Sequence, residues 1–270
     1  MSKYIDIHSH IDFRFFKENQ KEVIDRMIEK DVSTITIGVD IGSSKESIDI
    51  ASKYDFIWAG IGLHPTDNND ELFDLEEYKK LSLDKKVVCI GECGLDYFRD
   101  SSKETKQKQK ELFEKHIELA LYCNKPLMIH SRPSKGTQDA YEDALSILEK
   151  YKGKVSGNFH FFVGDIFIAK RVLDIGFTMS FDGPITFTND YDELIKFIPL
   201  ESIMCETDSP FAAPAPYRGK SCEPWMVEEV YKKIAEIKNL SLEEVAFVIN
   251  ENVKRVFLTP SLASDRVDIS

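Results

Sequence analysis

The chain has 270 residues, with 35 basic against 47 acidic side chains and a formal net charge of −12, which argues against a module that grips long duplex nucleic acid through a basic surface. Hydrophobic residues at 42% and charged residues at 30% are the mixture of a folded globular chain and exclude a disordered or collagen-like one. No apolar run approaches the roughly 18 residues that span a bilayer, and the opening MSKYIDIHSH lacks the basic-then-apolar order of a signal peptide, so a cytoplasmic protein without a membrane partner is expected.

In chain order, β-branched and apolar runs predict strands at 4–8, 34–39, 56–63, 87–92, 126–130, 155–160, 177–181 and 203–206. Helix-patterned stretches lie between them. The stretch 20–30 sets Val23, Ile24, Met27 and Ile28 on one face, and 107–122 does the same with Leu112, Phe113, His116, Ile117 and Ala120. After the last strand, 225–238 and 242–256 predict two further helices, the second opening on the capping-box pattern Ser241-x-x-Glu244. No Pro/Ser/Gly-rich linker interrupts this rhythm, so residues 1–258 read as one domain and the unpatterned 259–270 as a flexible tail.

Crossovers between parallel neighbours are right-handed, and eight successive βα units close most simply into an α/β fold of the TIM-like (β/α)8 barrel type, with an additional C-terminal helix. The runner-up is an open doubly wound sheet. It is disfavoured because no strand leads into a Gly-x-Gly-x-x-Gly or Walker-type phosphate loop. The five cysteines, Cys89, Cys93, Cys123, Cys205 and Cys222, are odd in number and form no Cys-x-x-Cys pair, as expected of reduced, packed thiols.

Five of the six histidines, His8, His10, His64, His130 and His160, fall at or just beyond the C-terminal end of a predicted strand, the face where barrel active sites assemble. His116 lies mid-helix and reads as a packed or half-exposed residue. His8 and His10 are two apart on a strand, so both rings point the same way. Glu92 ends the apolar run VVCIGE, where a carboxylate is costly unless paired or bound to metal; His130 closes PLMIH, His160 closes VSGNFH and Asp208 follows IMCET. Four histidines and two carboxylates form a nitrogen and oxygen ligand set suited to Zn, Mn or Mg. Six ligands are too many for one open catalytic ion. A carboxylate can bridge, so the set suits two divalent ions about 3.5–4 Å apart.

The blocks DIHSHID (6–12), GLHP (62–65), IGECGLDY (90–97), KPLMIHSR (125–132), HFFVG (160–164), GPITF (183–187), ETDSPF (206–211) and RGKSCEP (218–224) follow one another in an order that resembles the TatD family of metal-dependent deoxyribonucleases. The resemblance implies a barrel of the amidohydrolase superfamily. It also implies that His8, His10 and Asp208 hold one metal, that His130 and His160 hold the other, and that Glu92 bridges them. A bridging carbamylated lysine, common in the wider superfamily, is not expected. His64 corresponds to a family histidine that faces substrate phosphate. The Phe161–Phe162 pair departs from the small residue or Cys that often follows the family histidine and is expected to alter pocket shape.

The expected activity is phosphodiester hydrolysis by metal-activated water, with Asp208 and Glu92 as catalytic carboxylates and His64, Arg132, Arg218 and Lys220 as substrate-binding residues. The substrate is expected to be DNA, bound transiently and cut from a single-stranded or frayed end, with no obligate protein partner. The alternatives are an amidohydrolase acting on a small amide, ester or lactone, and a non-catalytic binding barrel, whose signature would be missing ligands.

Overall fold

The structure is a computed structural model that describes residues 2–12, 16–66 and 72–259. Eight strands, β1 (Tyr4–Ser9), β2 (Val32–Ile37), β3 (Ile57–Ile61), β4 (Val87–Asp96), β5 (Leu127–Arg132), β6 (Gly157–Phe159), β7 (Thr178–Phe181) and β8 (Ile203–Cys205), pair in sequence order, each parallel to the next. A parallel bridge between Ser9 and Ser209 joins the first strand to the chain leaving the last. His10 N donates to Ser209 O at 2.8 Å and Asp208 N to His8 O at 2.9 Å. The barrel therefore closes at the segments that carry His8, His10 and Asp208. This order is the TIM-like one and rules out the doubly wound alternative, whose strand order reverses.

Seven helices, α1 (Gln20–Glu29), α2 (Ile41–Ser52), α3 (Leu75–Leu81), α4 (Lys103–Cys123), α5 (Asp139–Leu148), α6 (Ile166–Asp174) and α7 (Asp192–Phe197), occupy the connections between strands. Then α8 (Val227–Lys238) and α9 (Leu242–Val253) follow β8. The Ser241–Glu244 capping box forms as its spacing predicts. The helix expected to reach residue 256 ends earlier and passes into a π-helical turn, Lys254–Leu258. Of the tail expected at 259–270, residues 260–270 lie outside the described residues.

The main apolar core lies between strands and helices, with Ile57, Ala59, Ile61, Phe113, Ile117 and Tyr231 among its buried members. A second cluster joins Ile5, Ile7, Ile35, Ile37, Cys89, Met128 and Met204 to Val253 and Phe257 of the C-terminal segment. All five cysteines are free thiols and four are buried. Among the described residues no helix is long and apolar enough to cross a membrane.

Two irregularities position the site. The register of β1 against β2 shifts between Asp6 and Ser9, and that of β4 against β5 shifts between Ile90 and Cys93. One strand gains a residue over its neighbour at each place, the kind of bulge that re-aims side chains beside active sites. The segments so displaced contain His8 and Glu92.

Candidate metal centre

The strand ends deliver two groups of donor atoms that meet at Glu92. In the first, His8 Nε2 lies 3.2 Å from His10 Nε2, 3.4 Å from Glu92 Oε2 and 3.7 Å from Asp208 Oδ1. His10 Nε2 lies 3.6 Å from Glu92 Oε2 and 3.4 Å from Asp208 Oδ1. Donors held about 2.0–2.2 Å from one ion in a tetrahedron are roughly 3.4 Å apart, so this group has the dimensions of a metal site. In the second, Glu92 Oε1 lies 2.8 Å from His130 Nδ1, 2.9 Å from His160 Nε2 and 3.4 Å from His64 Nε2. His130 Nδ1 and His160 Nε2 are 3.2 Å apart. One carboxylate thus turns a different oxygen to each group.

The other ring nitrogens decide which histidines offer a lone pair. His10 Nδ1 lies 2.8 Å from Ile37 O, an acceptor, so Nδ1 carries hydrogen and Nε2 faces the site as a base. His160 Nδ1 faces Glu206 Oε1 at 3.2 Å and His130 Nε2 faces Asp96 Oδ2 at 3.3 Å, arrangements that orient metal-binding imidazoles. His64 differs. Its Nδ1 accepts the Thr66 backbone N–H at 3.2 Å, so in the neutral ring the hydrogen sits on Nε2 and points into the site. In its neutral ring His64 turns an N–H into the site, where neutral His10, His130 and His160 would each turn a lone pair.

The electrostatics ask for a cation. Burial would raise the Glu92 carboxyl, yet His64, His160 and His130 around it hold it well below the usual carboxylate range. Burial likewise opposes ionisation of Asp208, and the hydrogen bond from His10 with the charge of His8 overcomes it. Burial lowers His10, but Asp208 and Glu92 raise it to about 9. His160 is raised well above its ordinary value by Glu92 and Glu206 against the effect of burial. Buried carboxylates with acidic side chains behind the imidazoles require compensating positive charge, supplied by protons or by metal at the same nitrogens. Donor type, spacing and charge all fit divalent ions.

A cavity of about 500 Å³ opens from this cluster and is lined by His10, His64, Glu92, His130, His160 and Asp208, with Arg99, Arg132, Phe161 and Phe211 among its walls. A larger cleft of about 1070 Å³, with Lys85, Lys125, Val155 and Phe257 in its lining, lies where β4, β5 and β6 begin. It is on the face opposite the donor cluster, and chemistry rather than size marks the site. Arg132 stands with its guanidinium carbon 4.1 Å from the Phe98 ring centre. Arg218 and Lys220 do not line the cavity, in contrast to the place expected for substrate-binding residues. Both are exposed, Arg218 4.0 Å from the Phe187 ring centre and Lys220 6.0 Å from that of Tyr217. Their charge in the RGKSCEP block says nothing of direction, and the exposed chain there carries them outward.

A family model described as TatD related DNase matches residues 5–258. The chain belongs to the TatD family. It is similar to the uncharacterized metal-dependent hydrolase YabD of Bacillus subtilis, at 40% identity over 257 residues that cover 93% of this chain and 98% of that one. It is also similar to the uncharacterized metal-dependent hydrolase YcfH of Escherichia coli K12, at 34% identity over 260 residues covering 94% and 95%. The fold matches that of YjjV, a TatD homolog from Escherichia coli K12, with a TM-score of 0.86 at 24% identity over 96% of this chain and 99% of that one. These relatives place the TatD-family chain among metal-dependent hydrolases.

Several supporting residues of this TatD-family site have no role among the sequence-based expectations, although two of them, Glu206 and Asp6, stand inside the quoted blocks. Fully buried Glu206 receives Phe161 N at 2.8 Å and Ser180 Oγ at 2.5 Å besides facing His160. Asp6 receives the amides of His8 at 3.1 Å and Thr207 at 3.0 Å, tying β1 to the chain after β8. Asp182, at the end of β7, is buried, and that burial with Glu206 and Asp208 nearby pushes its carboxyl well above the ordinary range. The available signal was an acidic residue in a segment otherwise bound for the interior. His116 is packed in the core, accepts Leu63 N at 3.0 Å through Nε2, and donates from Nδ1 to Leu112 O at 2.9 Å. It thereby holds the turn that carries His64.

Proposed function

We propose that this protein is a metal-dependent deoxyribonuclease that hydrolyses phosphodiester bonds at single-stranded or frayed DNA ends with a dinuclear divalent centre. The observation that carries the reading is Glu92, whose Oε2 faces His8 and His10 while its Oε1 faces His130 and His160. His8, His10, Asp208 and Glu92 would hold one ion, and His130, His160 and Glu92 the other. When bound, the ions supply Lewis-acid activation of water and of the phosphate oxygens.

The chain's own residues do the rest. Asp208, half-buried at the cavity and kept ionised by His10 and His8, takes the proton of the attacking water. His64 donates its Nε2 hydrogen to a non-bridging phosphate oxygen as charge develops there. Arg132 and Arg99 on the cavity wall bind neighbouring phosphates, for which the guanidinium fork is suited. Arg218 and Lys220, outside the lining, are assigned only to strand that extends beyond it.

The test is metal content of the purified protein together with cleavage of single-stranded oligonucleotides, with Mn²⁺, Mg²⁺ or Zn²⁺ and then with chelator, beside a panel of amides, esters and lactones. The proposal expects about two ions per chain and chelator-sensitive cleavage. Chelator-insensitive cleavage, or turnover of the acyl panel alone, overturns it.

A further inference from the structure

Three lysines occupy matching places in three successive βα units. Lys85 stands two residues before β4, Lys125 two before β5 and Lys154 three before β6. Neighbouring parallel strands lie about 4.8 Å apart, so residues that precede successive strands meet on one rim of the barrel. All three lysines line the cleft of about 1070 Å³ on the face opposite the metal centre, and Arg255 of the π-helical turn lines it with them. Asp84 is the one carboxylate in that lining among the described residues, and its Oδ1 accepts Lys86 N at 2.8 Å. Four cations against one carboxylate leave three net positive charges here, in a chain whose net charge is −12. The cations are anchored without being neutralised. Lys125 Nζ donates to the carbonyls of Ser82 and Asp84, and burial pulls its ammonium below the ordinary lysine range. Arg255 Nη2 donates to another carbonyl, Glu201 O, at 2.7 Å. Lys85 and Lys154 are exposed and form no salt bridge among the described residues.

We propose that this cleft binds an organic diphosphate of nucleotide size, its phosphates on Lys85, Lys125, Lys154 and Arg255 and its apolar body against Leu83 and Tyr122. A cleft lined by one sign of charge concentrates counter-ions of the other, and a nucleoside diphosphate brings roughly three negative charges near neutral pH. Ammonium groups meet phosphate oxygens as point charges, and the guanidinium adds a fork. Leu83 and Tyr122 also line the cleft and remain 74% and 57% exposed, so large apolar side chains stand beside the cations instead of entering the core. The volume is that of a small-molecule site at the upper end of the usual range. The cleft shares no lining residue with the cavity at the metal centre, so the proposal stands apart from the nuclease reading.

The experiment is isothermal titration of the metal-loaded protein with ADP and, separately, with pyrophosphate. ADP is expected to bind with a Kd below about 1 mM, and pyrophosphate at least about fivefold more weakly because it lacks the apolar body. Glu92→Ala, which alters the metal centre on the far face, should keep the ADP affinity. The double variant Lys85→Glu, Lys154→Glu changes two exposed side chains and should keep the wild-type Tm. It is expected to bind ADP at least about tenfold more weakly, through the loss of two charge-assisted contacts. Absence of ADP binding up to about 1 mM, equal affinity for pyrophosphate, or an affinity unmoved by the double charge reversal overturns the proposal. Loss of ADP binding in Glu92→Ala with retention in the double variant places the nucleotide at the metal centre and overturns it equally.

Discussion

Glu92 and His64 face each other across 3.4 Å, yet their chemistry assigns them different work. Glu92 supplies an oxygen to each donor group, so its loss dismantles both. Glu92→Ala is expected to lose most bound metal and nearly all activity together, checked by elemental analysis and a cleavage assay on the same sample. His64, with the hydrogen of its neutral ring on Nε2, would be a donor to substrate under the proposed function. His64→Ala should keep its metal and lose about 10²–10³-fold in kcat, the usual cost of removing one preorganised donor. Loss of metal in that variant would make His64 a ligand. His116 permits a pH prediction. Burial pulls its imidazole down to about 4 from 6.5, so the fold excludes a proton that the unfolded chain accepts. Its contribution is complete above pH 6.5 and is lost as pH falls from there towards 4, at up to about 1.4 kcal/mol per pH unit. Urea unfolding of metal-free protein at pH 7 and pH 5 should therefore show wild type losing about 2 kcal/mol more than His116→Gln, which cannot titrate. Equal losses would contradict the buried neutral ring.

At the scale of elements, β4 is the one on which the site turns. The sequence predicts a strand ending at Glu92, but the observed strand continues to Asp96 because Gly94 lets it pass close against β5. Its φ is +133°, and a Cβ there would lie 2.1 Å from His130 O. Gly94→Ala is expected to destabilise the protein by at least about 2 kcal/mol and to reduce metal affinity, since both Glu92 and His130 flank the contact. Denaturant titration and metal titration of the variant would check this; a fully stable variant with normal loading would count against that packing account. Helix α4 shows the opposite failure of pattern reading. Its observed start at Lys103 precedes the expected 107 because the first turn, KETK, is polar on all sides. Ser102 caps it by accepting Thr105 N, which a hydrophobic period cannot register. The eight strands, by contrast, are legible because most are short runs rich in β-branched and apolar residues, as in VSTITI of β2 and IWAGI of β3, and parallel barrel strands are buried on both faces.

For the whole molecule, a net charge of −12 and a nucleic-acid substrate are compatible once charge is considered by place. Two divalent ions would bring four positive charges to a centre whose carboxylates otherwise repel phosphate. The same ions would bind the folded barrel and not the unfolded chain, whose ligands come from five strand ends. Chelation should therefore lower Tm by several degrees, and divalent ion in excess should restore it, because saturation at about 100 times Kd adds about 2.7 kcal/mol. Glu92→Ala should show no such response; an unchanged Tm in wild type would separate the centre from metal.

The sequence by itself determined the architecture and the roster of ligand types. Apolar runs at βα spacing dictate a parallel sheet, and histidines and carboxylates ending those runs share one face of whatever barrel results. What only the tertiary structure decided is direction. The two bulges that bring in His8 and Glu92, the acceptors that set which ring nitrogen each histidine offers, and the outward course of Arg218 and Lys220 all depend on partners distant in the chain. A residue's type declares which bonds it can make, and packing alone selects the neighbour with which it makes them.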